Sequence, residues 1–143
     1  MTAKTFFQDV LHAESELKVL RARVRHFEEL GLMSGISSSG VGSRSNGSSR
    51  VEMAAVGAVD ATKALDEQIR YYTRIISRAQ RIIKQIPQEK YRHILDYRYL
   101  SGWSFRSISD ELGYNDPNSV YRAHGWALSE AQKIINREEK EKC

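Results

Sequence analysis

The feature that most constrains this chain is a spacing. Residues at Phe6, Val10, Ala13, Leu17, Leu20, Val24 and Phe27 follow one another in alternating steps of four and three. The same alternation returns at Val51, Ala55, Ala58, Thr62, Leu65, Ile69, Tyr72, Ile76, Ala79, Ile83 and Ile86. That rhythm lays a narrow apolar seam along a helix, as in a coiled coil, and no strand can use it because side chains of a strand alternate every second residue. Gly31 is a natural stop for the first helix, and Pro87, with no N–H to donate, ends the second.

Between the seams, residues 31–50 contain eight Ser and five Gly, too little apolar surface to offset the entropy of ordering them. This predicts a flexible loop. A nucleotide cradle is a poor alternative: Gly40-Val41-Gly42 lacks the third glycine, follows a helix rather than a strand, and the segment has no lysine. Two seamed helices joined by a tether fold back most simply as an antiparallel hairpin, a coiled-coil-like stem over residues 1–86. Phe7, Leu11, Ile75 and Ile82 widen the seams. They suggest that two hairpins pair, with Leu17, Leu20, Leu65, Ile69, Ile76 and Ile83 as the homodimer contacts; the alternative is that the extra residues pack on the C-terminal unit of the same chain.

At 143 residues and 41% hydrophobic content the chain builds a modest core, and a deep substrate pocket is not expected. No run approaches a membrane span, the N-terminus lacks the pattern of a secretory signal, and the lone Cys143 has no partner for a disulfide or thiolate cluster. A cytoplasmic protein without cofactor or metal is the expectation. The net charge of +4 is mild, but Arg70 to Arg98 holds eight basic residues against Glu89 and Asp96, a local +6. A run of this kind reads either as a solvated helix face or as a stripe that tracks phosphates.

Residues 87–143 divide into three shorter helical patterns, read as a helix-turn-helix domain. The first spans about Gln88 to Leu100, with Tyr91, Ile94, Leu95 and Tyr99 inward, and Ser101-Gly102 breaks it. Ser104 can cap a second helix that turns Ile108 and Leu112 inward and ends at Gly113. Asp116-Pro117 then opens a third, a capping carboxylate before a proline whose missing N–H would be unpaired anyway. Helical spacing turns Val120, His124, Ala127, Leu128, Ala131, Ile134 and Ile135 inward and leaves Asn118, Ser119, Tyr121, Arg122 and Gly125 outside. Asn118, Ser119, Tyr121 and Arg122 have the chemistry of base-edge readers: arginine can grip guanine bidentately and asparagine adenine. Arg81, Lys84, Arg92 and Arg106 are the expected phosphate contacts.

The run ILDYRYLSGWSFRSISDELGYNDPNSVYRAHGWAL resembles region 4 of bacterial sigma factors, and more closely the phage-encoded late-gene regulators of the ArpU, RinA and LtrC group. RYLSGWS, ISDELGY and VYRAHGWAL carry the likeness, and the upstream order of helix, Ser/Gly loop and VEMAAVGAVD helix extends it. The turn GYNDPNSV is longer than the usual sigma-like turn, and Trp126 stands where a basic residue is common. The resemblance implies an all-α, sequence-specific DNA-binding transcriptional regulator in a bacterial host cell. Activation of a phage or prophage operon near a promoter, with RNA polymerase as a further partner, is the implied role.

Other classes find less support. His12, His26, His93 and His124 stand at no ligand spacing, and Glu89, Asp96, Asp110 and Glu111 are scattered, so no enzyme activity is assigned. Tyr71-Tyr72 and Tyr97 to Tyr99 beside arginines suit packing better than stacking on single strands. A ring-forming DNA-packaging adaptor of the small-terminase kind, and a polymerase-binding module that reads no DNA itself, remain as alternatives.

Overall fold

In a computed structural model the described residues are 1–31 and 48–142, with the helix backbone alone described for 48–58. They form an all-helical protein, with no strand among them. In chain order the helices are α1 (Ala3–Glu29), α2 (Ser48–Lys84), α3 (Glu89–Leu95), α4 (Phe105–Leu112) and α5 (Pro117–Lys142); a π turn, Asp96–Leu100, extends α3. The loop expected over 31–50 lies outside the described residues except at its ends, where Gly31 stops α1 and Ser48 already begins α2. Seam positions Val51, Ala55 and Ala58, and Cys143, also fall outside what is described of side chains. Among the described residues, no helix is long and apolar enough to cross a membrane.

By packing, the chain divides into two units: residues 1–15 with 72–143, and residues 16–71. The division differs from the boundary at Pro87 expected from sequence, because the outer ends of both long helices are built into the unit that holds α3 to α5.

That first unit has two apolar clusters. In one, Phe6, Phe7 and Val10 of α1 and Ala79, Ile82, Ile83 and Ile86 of α2 meet Leu95, Tyr99 and the second half of α5 at Ala127, Ala131, Ile134 and Ile135. Phe7 is fully buried, with its ring 5.1 Å from that of Tyr99. Polar ties reinforce the contact: the Ala3 N–H donates to Gln132 at 2.6 Å, Gln132 donates to the Met1 carbonyl, and Arg78 pairs with Glu138 at 3.3 Å. Phe7 and Ile82, read from sequence as candidates for pairing two copies, are instead covered by α5 and α3 of their own chain. The same holds for Ile83, 6% exposed in this cluster. The second cluster gathers Ile94, Ile108, Val120 and Ala123, with Tyr91, Tyr97, Trp103, Phe105, Leu112 and Tyr114 around them.

In the second unit Leu17, Leu20 and Leu65 are buried within the single chain. Ile69, and Ile76 in the first unit, are only half-buried.

Candidate nucleic-acid interface

The segment from α3 to α5 is assembled by short-range chemistry. Ser104 is extended, and its Oγ accepts the Ser107 N–H at 3.1 Å, which starts α4. Gly113 ends α4 with φ 76°, a left-handed conformation that a side chain would strain. Three residues on, the Asp116 carboxylate accepts the Asn118 N–H at 3.0 Å and its carbonyl accepts the Ser119 N–H, so α5 opens at Pro117. The expected caps are therefore in place.

The helix expected from Gln88 to Leu100 changes pitch midway. At its end the Ser101 N–H reaches back five residues to the Asp96 carbonyl, the wide turn of a π-helix. Arg98 then donates to the Trp103 carbonyl at 3.0 Å and lies over the Phe105 ring, 4.4 Å from its centroid. Trp103 stacks on Tyr97 at 4.3 Å. These contacts orient α4, and Phe105 in turn meets Tyr121 at 4.8 Å and the edge of His124 at 4.9 Å.

His124 is half-buried, and its Nε2 lies 2.6 Å from the Tyr99 hydroxyl. Burial, then the charges of Arg98 and Lys4, lower its pKa from 6.5 to about 4, so the ring is neutral at physiological pH. Burial likewise raises Tyr99, against the opposing pull of Arg98. Of the tyrosines for which sequence favoured packing over stacking on nucleic acid, Tyr99 lies in the core and Tyr97 against Trp103, whereas Tyr71 is 58% exposed.

Of the expected readers, Asn118, Tyr121 and Arg122 are exposed on the first turns of α5, and Gly125 is exposed beside them. Ser119 differs: it is half-buried and lines a cavity on the flank toward α3, together with Lys90 and Trp126. Ala123, which sequence reading did not place inward, is buried, while His124 and Leu128 are only partly so.

The expected phosphate contacts separate. Arg81, Lys84 and Arg106 are exposed, and none forms a salt bridge among the described residues. Arg92 is occupied: its guanidinium donates to the Ile86 carbonyl at 2.7 Å and to the Pro87 carbonyl at 3.0 Å, closing the end of α2. The basic run as a whole is partly structural, since Arg70 pairs with Asp66, Arg78 with Glu138, Arg98 with Trp103, and Lys90 sits over Tyr114. Lys90 and Trp126 were not singled out as contacts by sequence reading, where Lys90 counted only within the basic run and Trp126 only as standing where a basic residue is common.

Among the described residues no three His, Cys, Asp or Glu side chains stand together as a metal site. Comparison with protein-family models, curated proteins and solved structures finds no match to this chain.

Proposed function

We propose that the chain is a sequence-specific DNA-binding transcriptional regulator, with α4 and α5 as a sigma region 4-like helix-turn-helix and the two long helices as an antiparallel stem. The observation that carries this reading is the outer face of α5. Asn118, Tyr121, Arg122 and Gly125 are all exposed there, on the first turns of a helix whose opposite face is buried at Val120, Ala123 and Ala127. Such a helix presents amide, phenol and guanidinium groups outward with no acidic residue between them, which suits the edges of base pairs in a major groove. Exposed Arg106 on α4 and Arg81 and Lys84 on α2 add positive charge for the backbone.

The stem reading draws on two contacts of the first unit, Arg78 over the Phe6 ring at 5.0 Å and Tyr72 beside His12 at 6.1 Å. Rising numbers on α1 meet falling numbers on α2, as in an antiparallel pair. A homodimer remains part of the proposal, through a surface that keeps Leu65 and Ile69 of the expected contacts. In the second unit Val24, Val59, Leu65 and Ile69 line an apolar groove of about 550 Å3, with Lys63 and Asp66 also lining it. A two-fold contact places the same surface of two copies together, and neighbouring charges of opposite sign suit it. Activation of a phage or prophage promoter with RNA polymerase is the role that the resemblance of the α3 to α5 sequence implies.

The test is selection of duplexes from a random pool by the full-length protein, followed by an electrophoretic shift without polymerase. Enrichment of one short motif, bound at least a hundredfold tighter than scrambled duplex, is the expected result. Failure to enrich any motif would reject the reading.

A further inference from the structure

On the flank of α5 toward α3 lies a cavity of about 240 Å3, whose lining includes Lys90, Tyr91, Tyr114, Ser119, Arg122 and Trp126. Two of its residues are cations and none is acidic. The Lys90 ammonium lies 5.1 Å from the centroid of the Tyr114 ring, and the ring face holds it on the cavity wall. Burial first, then Tyr91, push the Tyr114 phenol above its ordinary pKa, so at neutral pH no phenolate offsets the two cations.

Two side chains here have no account in the folding of the chain alone. Trp126 is 56% exposed and forms a wall shared with a neighbouring cavity of about 310 Å3. An indole left so open, with an N–H to donate, is typical of a contacted surface. Ser119 is half-buried among these residues and off the outer face of α5, where a base reader would stand.

We propose that this cavity seats one phosphate of the DNA strand bordering the groove that α5 enters, held by the Lys90 ammonium and the Ser119 hydroxyl, with the Trp126 indole against the adjoining sugar. The proposal rests on the reading of α5 as a DNA-reading helix and adds to it the contact that sets the helix's register. A single anion fits a pocket with two cations and a hydroxyl, and phosphate contacts of this kind position a protein on the duplex without reading sequence. Arg122 borders the cavity on the side of the outer face, so a seated phosphate brings the neighbouring base edge to its guanidinium. Ser119 is thereby a positioning contact and not a base reader.

The experiment uses the full-length protein and a selected duplex in which each phosphate in turn is replaced by an uncharged methylphosphonate. Replacement at one position is expected to weaken the wild-type protein about tenfold and to leave Lys90→Gln unaffected, because that variant has already lost the contact. Lys90→Gln also lowers the slope of log affinity against log salt by about 0.9. Lys84→Gln, by contrast, keeps its sensitivity at that position. The chain has two tryptophans; in Trp103→Phe the remaining Trp126 emission changes on saturation with duplex, and Trp126→Ala weakens cognate and scrambled duplexes alike. Sensitivity to every methylphosphonate surviving in Lys90→Gln, or Trp126 emission unmoved by saturating duplex, overturns the proposal while leaving the DNA reading standing. Failure to bind any duplex overturns the DNA reading itself.

Discussion

The Tyr99 hydroxyl lies 2.6 Å from Nε2 of His124 and joins the π turn to α5. With the ring neutral, the tautomer sets the direction: Tyr99 donates to a bare Nε2, or an Nε2–H donates to the phenol oxygen. Tyr99→Phe removes the hydroxyl and leaves a half-buried nitrogen without its partner. We expect a loss of about 1 to 2 kcal/mol in urea unfolding.

The same pair makes stability depend on pH. The folded pKa of His124, about 4, lies below the ordinary 6.5, so as pH falls the unfolded chain takes up the proton first. Its contribution is fully present above pH 6.5 and declines as pH drops toward 4. The urea midpoint should fall across that window, and His124→Gln should flatten the fall; an unchanged pH profile in that variant would show that another group is responsible.

Reading and holding should separate by residue. Arg122 is exposed on the outer face of α5, whereas Lys84 is exposed at the end of α2. Arg122→Ala is expected to cost about 1 to 3 kcal/mol at one base pair and to flatten preference there. Lys84→Ala should weaken all sequences alike and reduce the salt slope by about one. Titrations of both variants against cognate and scrambled duplexes at several salt concentrations decide; a change in base preference in Lys84→Ala counts against the assignment.

Gly125 stands inside α5 with open space where a Cβ would go. Nothing among the described residues requires glycine there, and in a helix interior it costs about 0.5 to 1 kcal/mol relative to alanine. Gly125→Ala should therefore stabilise the protein by about that amount. If the outer face of α5 lies against DNA, the added methyl should also weaken cognate binding about tenfold, ~1.4 kcal/mol. Higher stability with unchanged affinity would show that the duplex does not approach at this position.

Val59 is 48% exposed on the groove of the second unit. Light scattering should find a dimer of the full-length protein at micromolar concentration, and Val59→Lys should give a monomer with unaltered helicity. A wild-type monomer would remove the dimer from the proposal.

How much of this was legible beforehand depends on how far apart the interacting groups lie in sequence. The Ser104 cap, the Gly113 stop and the Asp116-Pro117 start each involve groups within a few residues, so the chain's local chemistry determined them, together with its all-helical character and the inward positions at Phe6, Val10, Leu17 and Leu20. Sequence could not decide which side chains would cover Phe7 and Ile82, because a period shows that a face is apolar without showing what meets it. Tertiary packing brought α5, more than a hundred residues from Phe7, onto that face. It also divided the basic run, taking Arg78 to Glu138, Arg92 to the end of α2 and Arg98 to Trp103, and leaving Arg81 and Lys84 exposed. Charges count alike in a sequence; in the fold, an arginine's role follows from whichever carbonyl, carboxylate or ring the packing places within its reach.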